Sequence, residues 1–187
     1  MARYELGAIY KIDGGERTYY ARLLTQDTYG IFEPVEGEIC EEKFSKLGYR
    51  LYICTGSFAV KRGLWEKLIP STDKMDTERW SRPPHLVNFL PWNIEESLES
   101  CVSHNRSGNT EIIDRKKYIK CLKQGFISVI MPRYEIIPSF LDRVYDNWPE
   151  SEILGDLEFT NGTPEHRRKQ IETLKKLGYD VSGYEEI

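Results

Sequence analysis

The sequence predicts an α+β fold, with a bent N-terminal antiparallel sheet or small open barrel and helices packed after residue 92. Three observations predict it. Five short runs rich in Tyr, Phe and Trp, separated by tight turns, lie between Leu6 and Ile69; periodicity then disappears around Pro83-Pro84; and segments with helix-cap signals follow Pro91. Residues 1–92 read as a β-rich aromatic core. Residues 93–187 read as a helical and mixed extension packed with it as one unit, since 187 residues suffice for one good-sized core.

Leu6, Ala8, Tyr10 and Ile12 alternate at period two, and Asp13-Gly14-Gly15 supplies the φ > 0 positions of a hairpin turn. Residues 18–24 return as the second strand, Gln26-Asp27 turns, and residues 29–32 form a third strand ended by Glu33-Pro34. Tyr19, Tyr20, Tyr29 and Phe32 give these strands cross-strand ring contacts. Residues 49–54 and 58–61 read as two more strands around Thr55-Gly56-Ser57, with Trp65 and Leu68 packing at the end of the block.

Pro83-Pro84 opposes a regular ladder or helix across residues 70–91. Trp80, Leu86, Phe89 and Trp92 carry too much apolar surface for that segment to lie free in water, so it is expected to be pinned across the sheet. Asn93 with Glu96 forms a capping pair for a helix to about Cys101, and residues 104–110 read as a loop. Asp114 caps a second helix stopped at Gly125. Residues 126–131 are the expected central strand, because they are apolar apart from Ser128 and end at Pro132. A helix covers residues 139–145. The best-marked helix has Thr163 as cap, Pro164 in its first turn, Ile171, Leu174 and Leu177 on one face, and Gly178 after its end.

With 40% hydrophobic and 30% charged residues the chain is globular rather than disordered. No eighteen apolar residues run together, so no membrane partner is expected. The first residues lack an unbroken apolar core and a small-residue cleavage site, so a cytoplasmic location is expected. Cys40, Cys54, Cys101 and Cys121 show no CxxC spacing and read as reduced, mostly buried thiols.

Chemistry is sparse. His85, His104 and His166 have no metal-ligand spacing, and the glycines form neither a dinucleotide fingerprint nor a phosphate loop, so no metal and no cofactor are expected. Were the chain an enzyme, His104 would be the general base and Asp114 its orienter across the Gly108-Asn109 turn, but no nucleophile accompanies them. A non-enzymatic role is the expectation.

Two charged stretches remain. Glu33, Glu36, Glu38, Glu41 and Glu42 place five acids in ten residues, either blunting a sheet edge or meeting a cationic partner. Tyr29, Tyr49, Tyr52 and Trp80 would supply amphipathic contact area beside them. Arg115, Lys116, Lys117, Lys120 and Lys123, with Arg133 nearby, read as a solvated helix face or a phosphate-binding one. The formal charge of −4 works against nucleic acid and suits a basic protein partner better.

The order GAIYKI, YYARLL, YGIFEP, FAVKRGLWEKLI and RPPHLVNF resembles bacterial polymorphic-toxin immunity proteins of type twenty-six. The likeness covers roughly the first half of the chain and consists of hydrophobic and aromatic positions, not catalytic ones. It implies a cytoplasmic antitoxin, monomeric or weakly dimeric, that neutralises a cognate toxin by binding it. A nuclease, whose cleft must be positive to hold phosphate, would suit the acidic stretch. The alternative is a nucleic-acid or nucleoprotein binding module using the basic helix.

Overall fold

The computed structural model describes residues 5–71, 82–158 and 162–184. Its first sheet contains β1 (Ile9–Asp13), β2 (Thr18–Leu23), β3 (Thr28–Phe32), β4 (Tyr49–Cys54), β5 (Glu66–Ile69) and β9 (Ser128–Ile130), in the order β5-β1-β2-β3-β4-β9. The first five strands pair antiparallel, β1–β2 and β2–β3 across short hairpin turns, while β9 joins β4 in parallel. The sheet is therefore mixed. Among the described residues β5 and β9 are not paired with one another, so it stays open. Register shifts at Ile9/Tyr10 and Ile31/Phe32 are the bulges that bend such a sheet.

Burial follows the period-two pattern. One face contributes Tyr10, Ile12, Tyr29, Ile31, Leu51 and Ile53 to the main core. The other face places Ile9 and Phe32 under α1 (Glu41–Ser45), whose Phe44 ring lies 4.6 Å from that of Phe32. At Gly30 the absent side chain has a use: a Cβ there would lie 2.6 Å from the Tyr49 ring, which occupies the space instead. Covered on both sides, β3 is buried along its whole length.

A second, antiparallel sheet holds β6 (His85–Val87), β7 (Val102–Asn105) and β8 (Thr110–Ile112). A parallel bridge between Val87 and Ile127 ties it to the chain just before β9. Thus residues 126–131 do not form a central strand: β9 ends the first sheet, and Ile130 is exposed on it. The ladder begins directly after Pro84, where the missing N–H no longer matters, so Pro83-Pro84 delimits a strand rather than preventing one. The expected loop at 104–110 is a hairpin, β7–β8. Residues 58–61 form a short helix, α2 (Phe58–Lys61), which buries Ala59 and Val60 and leaves Phe58 exposed beneath the Arg62 guanidinium. Four apolar-rich residues fit either period, and packing decided.

The expected helices follow Pro91: α3 (Ile94–Ser100), α4 (Arg115–Lys123), α5 (Ile137–Val144) and α8 (Pro164–Leu177), with short α6 (Glu150–Ile153) and α7 (Gly155–Glu158) between the last two. Asn93, Asp114 and Thr163 each accept the backbone N–H three residues on, and Gly178 takes φ +87 after α8. The same core includes Leu98, Tyr118, Leu141 and Leu174 from these helices, so it runs through both halves of the chain.

Polar contacts fix α5 to the sheet. Asp142 accepts the Gly15 N–H at 2.7 Å and the Tyr19 hydroxyl at 2.6 Å, clamping the β1–β2 turn. Tyr145, at the end of α5, donates its hydroxyl to the Phe32 carbonyl at 2.7 Å. Phe89 and Leu86 are buried and Trp92 exposed; Trp80 lies outside the described residues.

Candidate functional site

The acidic stretch begins where β3 leaves the sheet, and three of its five carboxylates are neutralised within the chain. Glu33 meets Arg50 at 2.6 Å, Glu41 meets Arg22 at 2.7 Å, and Glu42 meets Lys46 one helical turn on at 2.7 Å. Glu36 and Glu38 are exposed and make no ion pair among the described residues. Between them Gly37 has φ +77, with Lys43 Nζ 3.2 Å from where its Cβ would lie. Val35 and Ile39 pack against the Phe32–Phe44 cluster and give the loop its shape.

The rings expected beside these acids are interior. Tyr29 is 0% exposed and stands edge-on to Trp65 and Tyr10; Tyr52 is 6% exposed and packs with Leu24 and Leu86. Burial raises the Tyr52 phenol to about 12 and also pushes the Tyr49 phenol up. Tyr49 is half-buried over Gly30. Tyr29 and Tyr52 thus offer no contact area to a partner, because alternate strand residues fill the two layers between which the sheet lies.

A cavity of about 390 Å³ opens at the other end of β3 and β4. Its walls include Asp27 and Thr28, Cys54, Ser128, Arg82, and His104 with Ser107 of the β7–β8 hairpin. Thr28 Oγ1 and Ser128 Oγ lie 3.5 and 3.3 Å from Cys54 Sγ. Asp27 Oδ1 accepts from the hydroxyls of Thr25 and Thr28, both at 3.2 Å. Burial first, and the Arg82 cation second, lower the His104 pKa, with Asp27 and the Gly108 carbonyl opposing them. The cavity therefore combines one cation, one carboxylate, an imidazole that favours its neutral form, and hydroxyl groups.

A larger cleft of about 500 Å³ runs beside β9, bounded by residues 88–92 and by α5 to α7. It is mainly apolar, with Phe89, Trp92, Val129, Met131 and Phe140 in its lining. Glu152 sits in it with Arg143 3.8 Å away. Desolvation raises the Glu152 pKa and Arg143 offsets this only in part, so the carboxyl holds its proton to higher pH than usual.

The other expected residues are dispersed. Asp114 is occupied as the α4 cap, no hydrogen bond or ion pair joins it to His104, and the acid–base pair is not formed. His85 Nδ1 lies 2.6 Å from Glu111, and His166 Nε2 lies 2.9 Å from the Trp92 carbonyl. Among the described residues no group of three His, Cys, Asp or Glu could hold a metal, and no helix is long and apolar enough to cross a membrane. Cys101 and Cys121 are buried, Cys54 is partly so, and Cys40 is exposed. On α4, Arg115, Lys116, Lys117, Lys120 and Lys123 are all exposed and, among the described residues, in no ion pair, while Tyr118, Cys121 and Leu122 face inward.

Arg82, Asp27 and Glu152 carried no sequence signal: Arg82 only precedes a Pro-Pro pair, Asp27 reads as a turn residue and Glu152 as one acid among many. Only tertiary packing makes them neighbours of cavities. The chain matches no protein-family model, no curated protein and no solved structure.

Proposed function

We propose that the chain is a non-catalytic antitoxin of the immunity type, cytoplasmic, which neutralises a protein toxin by binding it through the loop at residues 33–42. The observation that carries the reading is the pair Glu36 and Glu38, exposed and without an ion pair among the described residues, on a loop whose other carboxylates are already neutralised. Two carboxylates held outward on an anchored loop suit a basic cleft and steer its approach. The resemblance of the first half of the chain to immunity proteins supports the same reading. Co-purification with the product of a neighbouring gene, and protection of cells expressing it, test the proposal. Glu36→Gln with Glu38→Gln should slow association and flatten its salt dependence while leaving stability unchanged. If no neighbouring product binds and no toxin is countered, the reading fails; if binding persists with the same on-rate and salt slope, the loop is not the docking edge.

One observation favours a second reading, a nucleic-acid or nucleoprotein binding module. The five α4 cations are exposed and form no ion pair among the described residues, whereas most of the acidic stretch is internally paired. Against it, Glu95 and Glu99 of α3 border the same groove as Arg115 and Lys176, which weakens the local field. Titration with single- and double-stranded DNA and RNA decides, since phosphate binding must fall steeply with salt. No salt-sensitive complex removes this reading.

A further inference from the structure

Arg82 is 4% exposed, its Nε is buried without a hydrogen-bond partner, and the guanidinium takes part in no ion pair among the described residues. A buried cation left this way is unusual, because its lost hydration goes unreplaced. The other buried guanidinium among the described residues is held differently: Arg22, 3% exposed, has Glu41 at 2.7 Å. Arg82 instead lines the cavity of about 390 Å³, within the size range of small-molecule sites.

We propose that this cavity is a binding site for a small oxyanion, a carboxylate or phosphate group that takes the Arg82 guanidinium as its principal donor. The planar N–H fork of arginine matches such a group in a way that water does not. Ser107 and Ser128, whose hydroxyls can act as further donors, stand in the same walls. Gly108, at φ +83, lies against the cation, and a Cβ there would be 3.5 Å from Arg82 Nη1, so the hairpin tip leaves the guanidinium room.

Asp27 shapes the choice of ligand. Its exposed carboxylate lines the cavity yet makes no ion pair with Arg82, so it disfavours a second negative group and favours a ligand whose far end is neutral or cationic. His104 is the built-in reporter. Arg82 depresses its pKa, so an oxyanion seated on the guanidinium should raise it. The site is separate from the loop at residues 33–42, and its test needs no toxin.

The test is an NMR titration of the full chain with acetate and, separately, with inorganic phosphate, at fixed ionic strength. The amides of Ser107 and Gly108 should shift saturably with at least one probe, and the His104 ring titration should move upward in the bound form. Which probe does so distinguishes a carboxylate site from a phosphate site. Arg82→Gln should weaken binding about tenfold or more, and Arg82→Lys, which keeps the charge and loses the fork, should fall between. Should Arg82→Gln not fold, the wild-type titration alone decides. The proposal is overturned if neither probe produces saturable shifts in the wild-type chain, or if a folded Arg82→Gln binds as well as wild type.

Discussion

Glu41→Gln separates a structural role for the acidic stretch from a recognition role. The Arg22 side chain is almost wholly buried, its Nη2 lies 2.7 Å from Glu41 Oε1, its Nε has no hydrogen-bond partner, and its guanidinium stacks 5.6 Å from the Phe32 ring centroid. Neutralising Glu41 leaves that cation without a counter-charge. Removing one member of a fully buried pair costs about 3–5 kcal/mol. Because the Glu41 side chain is 28% exposed, water recovers part of this, and about 2–3 kcal/mol is expected. Glu36→Gln and Glu38→Gln, made at exposed unpaired positions, should each stay within about 0.5 kcal/mol of wild type. Urea unfolding followed by tryptophan fluorescence measures all three, with unchanged slopes required for the comparison. A second arm replaces Arg22 with Met and Glu41 with Leu together, which should return most of the loss, since removing both charges removes the uncompensated one. Should Glu41→Gln cost no more than Glu36→Gln, the ion pair contributes nothing to the fold. Glu41 would then rejoin Glu36 and Glu38 as an acid available to a partner.

Two further perturbations test the cleft and the clamp between helix and sheet. The Glu152 pKa is raised in the fold, so its contribution to stability is complete below the unfolded value of about 4.3 and is lost as pH rises through the folded value; Glu152→Gln should therefore be more stable than wild type at pH 7–8 and equal to it near pH 4, and unfolding midpoints showing the reverse order would contradict the desolvated carboxyl. Asp142→Asn weakens a carboxylate that accepts from both the Gly15 N–H and the Tyr19 hydroxyl, so a loss of about 1.5–3 kcal/mol is expected, with faster hydrogen exchange at Gly15; unchanged exchange there would show that the β1–β2 turn holds itself without α5.

Much of the helical half was legible because its signals are local. Asn93 with Glu96, Asp114 with the Lys117 N–H, and Thr163-Pro164 with Gly178 all act within a few residues of the helix end they define, and each stands where the sequence put it. The β1–β2–β3 meander was legible for a similar reason: Asp13-Gly14-Gly15 and Gln26-Asp27 join strands whose alternation is written in their own residues. Residues 58–61 failed this logic, since a run of four fits a strand or a helix equally and only the burial of Ala59 and Val60 in the main core selects the turn of helix.

The sequence by itself determined the α+β class, the order of most elements, and the residues rich enough in apolar surface to form the core. The tertiary structure alone decided where β9 docks, because its parallel partner β4 lies 74 residues away at the Cys54–Ser128 contact and no local pattern records so distant a register. It also decided what the charges do. An acid in the sequence looks the same whether its cation is one helical turn away, as for Glu42 and Lys46, or across the sheet face, as for Glu41 and Arg22, or absent among the described residues, as for Glu36. A ring at period two looks the same whether solvent or a second layer covers its face, and here both faces of β3 are covered, so Tyr29 belongs to the core. Arg82 shows the limit most sharply. The cavity it faces with His104 and Asp27 exists only because three segments distant in sequence converge, and among the described residues none places a carboxylate in an ion pair with it.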